Sequence, residues 1–289
     1  MEHFRIGDMS FLWNNDGLSL QPDPYTEGFR APLENADPDA ERYTTAFFPL
    51  DRLRSASPLQ QNALYELYDT AWGRFLIYHW GTCRFAYGYR PEDLKTGGTL
   101  PVWFHPYMKD GFPLRRDWFF STAGMHSKLL RHGAAVLHAA WVDWNGMAIL
   151  FAAPSQTGKS TQAELWRRYA GAEVINGDRV LLRKKNGIWC AWGYPCCGSS
   201  KICINRTRPV RAVVLLEQGA ENRVSPVPSA EKIRTLMAGT EVYVWDNEEI
   251  ETALRLVKDL TEAVPVVRLT CRPDAGAVTV LKHELEEMQ

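Results

Sequence analysis

The stretch FAAPSQTGKST, Phe151 to Thr161, carries Gly158, Lys159 and Ser160 in the order of a phosphate-binding loop, with Ala153 where the pattern's first glycine belongs. The pattern G-x-x-x-x-G-K-[ST] demands a turn of backbone N–H groups around the phosphates, a helix N-terminus behind it, a lysine on the β and γ oxygens, and a hydroxyl on magnesium. Met147 to Phe151 ahead of the loop is an apolar run of strand length. Behind it, Ser160 to Tyr169 puts Ala163, Trp166 and Tyr169 on one side, so the context is strand, loop, helix. Pro154 fixes φ at about −65° and alanine is the smallest side chain after glycine, so the turn closes provided that residue 153 does not need φ > 0. The residues expected around the phosphates are Pro154, Ser155, Gln156, Thr157, Gly158, Lys159, Ser160 and Thr161.

Such a loop needs a carboxylate to share the metal with Ser160, and Asp178, 19 positions after Lys159, is the candidate. In the common P-loop NTPases this acid closes a strand of a parallel sheet and a helix follows. Here Glu173 to Asp178 runs at once into another strand, Arg179 to Arg183, and then Lys185-Asn186-Gly187 leads to Ile188 to Trp192. This meander predicts a mixed sheet. Upstream, a helix from about Leu114 to Arg131 leads into a strand, Val136 to Trp144, and Asn145-Gly146 signals a type I′ hairpin into the strand that feeds the loop. Ile250, Ala253, Leu254, Val257, Leu260 and Val264 mark an amphipathic helix, Val266 to Leu269 a strand, and Pro273 to Glu286 a last helix.

The first 125 residues read as a β-rich module. Met9 to Trp13 and Leu18 to Leu20 flank Asn14-Asn-Asp-Gly17, Arg42 to Leu50 alternates, and Arg74 to Trp80 and Cys83 to Tyr89 flank Gly81-Thr82. A helix is expected from about Pro58 to Thr70, a solvated loop over Glu34 to Glu41, and a connection between Arg90 and Gly111. The tryptophans of this half are read as core rather than as a ligand cleft. The domain division expected is 1–125 and 126–289.

The 289 residues carry a formal net charge of −1, which gives no general attraction to nucleic acid or anionic lipid, so phosphate recognition has to be local. No stripe of basic and aromatic residues points to nucleic acid. The most apolar window, Ala134 to Ala153, is interrupted by His138, Asp143 and Asn145, and no membrane span or signal peptide is expected. The expected location is the cytoplasm. The six cysteines show no C-x-x-C pair, which favours reduced thiols, the adjacent Cys196 and Cys197 included. Lys201, Arg206, Arg208 and Arg211 form a basic cluster, read as a solvated strand edge or as a clamp on transferring charge.

His138-Ala-Ala-Trp-Val-Asp143-Trp-Asn-Gly146 followed by Ala152-Ala-Pro-Ser155-Gln-Thr-Gly158-Lys159-Ser160 resembles, without a gap, the catalytic domain of HPr kinase/phosphorylase, whose fold is related to that of phosphoenolpyruvate carboxykinase. His138 lies 21 positions before Lys159, with Asp143 and Gly146 between, as in that family. Asn176-Gly177-Asp178, Trp192-Gly-Tyr-Pro195 and Pro209 to Leu216 resemble a bacterial branch of kinase-like homologues. The resemblance covers about residues 130 to 285. It implies an α/β kinase domain with a mixed sheet, phosphoryl transfer from ATP to a serine-type hydroxyl, phosphates held by the loop and Lys159, Mg²⁺ held by Ser160 and Asp178, and His138 beside the phosphates. His138, Lys159 and Asp178 are the implied catalytic set.

Two departures matter. HPr kinases carry two adjacent aspartates, the first proposed as base, and Gly177 stands in its place here; Asp178, His138 or no strong base are the alternatives. The family's Glu-x-Arg-Gly signature is also missing, with Gly193 to Lys201 in its place, which removes the ground for HPr as substrate and for phosphorolysis. The losses of glycine at 153 and 156 are read as minor. The acceptor is open among a protein, a modified peptide and free serine, as is assembly into homo-oligomers. The rivals are a nucleotide-binding sensor without turnover and, below it, a carboxykinase.

Overall fold

The computed structural model describes residues 1–289 apart from 22, 56, 62–64, 72, 81–82, 96–97, 110–112 and 289. The chain divides into two compact units, Met1–Lys128 and Leu129–Gln289. The first contains β1 (Glu2–Ile6), β2 (Met9–Asn14), β3 (Ser19–Leu20), α1 (Pro24–Glu27), β4 (Arg30–Ala31), β5 (Glu41–Phe47), β6 (Gln60–Gln61), β7 (Tyr65–Thr70), β8 (Gly73–Trp80), β9 (Cys83–Tyr89), β10 (Thr99–Phe104), β11 (Pro113–Leu114) and α2 (Arg116–Thr122), and the chain leaves it through α3 (Met125–Arg131). A nine-stranded sheet has the order β4-β1-β2-β5-β10-β9-β8-β7-β6. It is mixed, because β5 runs parallel to both β2 and β10.

Several expectations fail here, each for a tertiary reason. The stretch from Pro58 to Thr70 forms β6 and β7 rather than a helix, residues 62–64 lying outside the described ones; β7 zips antiparallel onto β8, from Tyr65 opposite Tyr78 to Thr70 opposite Gly73. A spacing of two decides it: Glu66 and Tyr68 share a strand face, where the phenol donates to the carboxylate at 2.6 Å. The connection expected from Arg90 to Gly111 contains β10, whose Leu100, Val102 and Phe104 are buried in alternation. β2 and β3 do not pair; β2 pairs with β1, and β3 with β11. The Gly81-Thr82 turn lies outside the described residues. The helix expected from Leu114 to Arg131 breaks at Gly124, which has φ +67° and where a Cβ would come within 2.7 Å of Leu94 Cδ2. Trp13 is buried in the core, its ring stacked 4.0 Å from Phe119.

The second unit contains β12 (Ala134–Leu137), β13 (Ala139–Trp144), β14 (Met147–Ala152), α4 (Lys159–Ala170), β15 (Glu173–Asn176), β16 (Val180–Lys185), β17 (Ile188–Trp192), β18 (Thr207–Gln218), β19 (Arg223–Pro226), α5 (Ser229–Gly239), α6 (Asn247–Ala263), β20 (Val266–Cys271) and α7 (Ala275–Glu287). The sheet order is β12-β16-β17-β18-β14-β13-β15, with β20 between β18 and β19. β14 lies antiparallel to β13 and parallel to β18, so this sheet is mixed as well.

Neighbouring strand residues face opposite ways, and helices cover both faces. Leu150 and Val213 join Leu236 of α5 and Val257 of α6 in one core layer, whereas Phe151 and Val214 join Trp166 of α4 and Leu281 of α7 in the other. Asn145-Gly146 and Asn186-Gly187 both have positive φ at each position, as type I′ hairpins require. The strand expected from Val136 to Trp144 is split at His138: β12 pairs with β16, and β13 pairs with β14. Among the described residues no helix is long and apolar enough to cross a membrane.

Candidate functional site

The loop from Ala153 to Gly158 joins β14 to α4. Its left-handed positions are Gln156 (φ +65°) and Gly158 (φ +109°), and Ala153 is not among the positive-φ residues. Alanine at the first position therefore costs the turn nothing, and the unusual residue is Gln156. A non-glycine side chain in this conformation costs roughly 1–2 kcal/mol. Lys159, 6% exposed, turns its Nζ back onto the loop and donates to the Ala153 and Pro154 carbonyls at 3.0 and 3.1 Å. Burial pulls the pKa of this ammonium down, partly offset by Asp178. Ser160 Oγ donates to the Gly177 carbonyl at 3.1 Å, beside the next residue's carboxylate.

Asp178 sits in the bend between β15 and β16, held from below by Asn176. The Asn176 side chain is fully buried and uses four hydrogen bonds: Nδ2 donates to the Tyr194 and Cys196 carbonyls, each at 3.0 Å, and Oδ1 accepts from the backbone N–H groups of Asp178 and Arg179 at 2.9 and 3.0 Å. Both carboxylate oxygens of Asp178 are engaged. Oδ1 lies 3.3 Å from His138 Nε2, and Oδ2 lies 2.5 Å from Arg179 Nη1. Arg179 in turn pairs through Nε with Glu241 and donates through Nη1 to Cys196 Sγ at 3.0 Å. Burial works to raise the Asp178 carboxyl, but the bond from His138 with the charges of Arg179, His138 and Lys159 outweighs it and holds the group below the usual carboxylate range.

His138 occupies the break between β12 and β13. Its backbone N–H donates to Gly239 O at 2.8 Å and its side chain is 42% exposed. The structure thus brings His138, Lys159, Ser160 and Asp178 to one end of the sheet, at the loop.

The position that a second aspartate would take is filled. A Cβ on Gly177 would lie 2.4 Å from Ser200 Cβ and 2.5 Å from its Oγ, and one on Gly198 would lie 2.7 Å from Asp178 Cγ. The turn Gly198–Ser200 therefore closes over the acid, with Ser200 Oγ donating to Cys197 O at 2.7 Å. No sequence signal marks this contact; Arg179 could have been found from its place directly after Asp178.

The basic cluster resolves differently from either reading offered for it. Arg208 Nε lies 2.6 Å from Asp143 Oδ2, Arg206 pairs with Asp143 and Glu173, and Arg211 donates to the Leu285 and Met288 carbonyls at the end of α7. These three are structural. Asp143 also accepts from Gly146 N–H at 3.1 Å and fastens the hairpin. Cys190, Cys196, Cys197, Cys203 and Cys271 are thiols rather than disulfide partners, with Cys196 and Cys197 both buried.

Two clefts flank the loop. One of about 410 Å³ is bordered by Gln156 to Gly158, Thr161, Gln162 and Arg272. The other, about 430 Å³, is bordered by His138, Ala153 to Ser155 and the face of α5 carrying Arg234 and Thr235. Among the described residues no three His, Cys, Asp or Glu side chains gather into a protein-only metal cage. The oxygen donors present, one hydroxyl and one carboxylate beside a phosphate-type loop, suit Mg²⁺, which keeps waters and phosphate oxygens in most of its positions.

A strand, a loop with a buried lysine, a helix and a carboxylate at a strand bend meet at one end of a mixed α/β sheet. No protein-family profile matches the chain, and no curated protein matches it. Among solved structures it is similar to the Hpr(Ser) kinase/phosphatase from Coxiella burnetii, at 13% identity and a TM-score of 0.31, over 53% of this chain and 92% of that one.

Proposed function

We propose that the second unit is an ATP- and magnesium-dependent kinase that transfers the γ-phosphoryl group to a serine-type hydroxyl. The observation that carries this reading is the meeting of Asp178 with His138 at 3.3 Å and of Ser160 with Gly177 at 3.1 Å, directly behind the loop that holds Lys159. Ser160 and Asp178 would hold Mg²⁺, and residues 154–161 the phosphates. Magnesium-bound ATP supplies the transferable group and screens its charge. Lys159 leaves the loop carbonyls to neutralise β and γ oxygens, and the buried setting strengthens that interaction.

The reading also selects a base. A His138 that donates from Nε2 to Asp178 keeps Nδ1 without a proton, ready to take the one released by the acceptor hydroxyl as its oxygen bonds to phosphorus and the bond to the β-phosphate oxygen breaks. Asp178 fixes the tautomer. This arrangement replaces the missing first aspartate and supports turnover over the sensor reading, which draws on Gly177 alone. The cleft beside Thr161 and Gln162 would take the nucleoside.

The test is transfer of label from γ-labelled ATP with Mg²⁺ to a panel of serine-containing acceptors. Lys159→Ala and Asp178→Asn are expected to lower the rate on the order of 10²-fold or more, and His138→Gln roughly 10²–10⁴-fold. Tight ATP binding without transfer to any acceptor would establish the sensor instead.

A further inference from the structure

The cleft beside His138 has a chemistry of its own. The start of the phosphate loop forms part of its lining and α5 another part, the latter through Arg234, Thr235 and Ala238. His138 and Arg234 are its titratable lining groups, and none of its described lining residues is acidic. Arg234 is exposed, and among the described residues its guanidinium has no ion-pair or hydrogen-bond partner. The arginines that reach α5 and the residues just after it differ: Arg179 is held by Asp178 and Glu241, and Arg268 by Glu217 and Glu231. A volume of about 430 Å³ suits a small molecule or a single chain end rather than the face of a folded protein.

We propose that this cleft receives the phosphoryl acceptor and that Arg234 binds a carboxylate on it, so that the substrate is a hydroxy acid, either a free amino acid or the carboxyl-terminal residue of a peptide. The inference rests on the kinase reading. The phosphates would already have Lys159 and the N-terminus of α4 on the loop, whereas Arg234 stands on α5, which lines another part of the cleft. A guanidinium fork matches a carboxylate through two parallel N–H bonds, which a neutral amide cannot accept equally well. His138 would then meet the hydroxyl while Arg234 holds the acid.

The experiment is calorimetric titration of the full chain, loaded with Mg²⁺ and a non-hydrolysable ATP analogue. The probes are L-serine against L-serinamide, and a pentapeptide ending in serine against its carboxyl-terminal amide. At least one acid is expected to bind about tenfold or more tightly than its amide, and which pair responds separates the free from the chain-terminal source. Arg234→Ala should abolish the preference with analogue affinity within about twofold of wild type, and Arg234→Lys should restore part of it. Equal binding of acid and amide, binding of neither, or an Arg234→Ala defect in analogue affinity would overturn the assignment. Failure of the wild-type chain to bind the analogue would strike the kinase reading itself.

Discussion

Replacing Gly177 by alanine probes the contact that sets this acid apart. The backbone at 177 is not left-handed, so alanine meets no left-handed penalty, and the native-state cost comes from the 2.4 Å separation between its Cβ and that of Ser200. Carbon atoms pack at about 3.5–4.0 Å, so one side has to retreat by more than about 1 Å. Ser200 is tied by its hydroxyl to Cys197 O and receives the Ile202 N–H. Overpacking of this kind costs about 1–3 kcal/mol, against about 0.4–1 kcal/mol gained from a stiffer unfolded chain. The net expectation is a loss of about 1–2 kcal/mol, or roughly 2–8 °C in melting temperature for a unit of this size. Ser200→Gly alone should also destabilise, by about 1 kcal/mol, through its lost hydrogen bonds. Combined, the two should cost less than their sum by about 1–2 kcal/mol, because the new methyl enters the space that the serine vacates. Urea unfolding of the four proteins gives the cycle directly. A Gly177→Ala protein as stable as wild type, or strict additivity within about 0.5 kcal/mol, would show that Ser200 does not occupy that space.

Three further outcomes follow from the same geometry. Gln156→Gly removes a left-handed side chain (φ +65°) and should leave the protein as stable or up to about 1 kcal/mol more stable by thermal melting, whereas Gln156→Val should lose about 1–2 kcal/mol. Asn176→Ala deletes four hydrogen bonds in a fully buried setting and should cost about 2–4 kcal/mol in urea unfolding, with Mg²⁺-dependent nucleotide binding weakened because Asp178 loses its support. Asp274, the cap of α7, is held below the usual carboxylate range chiefly by the Asn222 amide and also by the Ala277 N–H. A depressed folded pKa means stability that is present above the unfolded value of about 3.9 and lost as pH falls through the folded value. Asp274→Asn should therefore flatten the acid limb of the stability profile below about pH 4.

The loop, its strand and its helix were legible because a phosphate loop is a local device: its glycine, lysine and hydroxyl positions are fixed by one turn of backbone. The Asn-Gly hairpins were legible for the same reason. What escaped depends on partners distant in sequence. β7 has enough helical spacing to mislead until β8 pairs with it, and β10 looks like a connection until β5 and β9 flank it. The break at His138 exists because β12 and β13 choose different neighbours. Ser200 stands against Gly177 through a turn 21 residues further along the chain, and nothing in either segment announces it. α5, which supplies Arg234, lies in a stretch that offered no motif.

The backbone bond from His138 N–H to Gly239 O has a mechanical consequence. Leu137 bridges to Thr240, and Glu241 N–H reaches Val136 O at 2.9 Å, so the end of α5 is stitched along the very residues that carry the histidine. Glu241 also grips Arg179, which grips Asp178. A pull on the helix is a pull on the imidazole and on its carboxylate partner alike. On the kinase reading, a ligand that drew α5 inward would shift the imidazole and its carboxylate partner together, so that recognition and chemistry would share one lever.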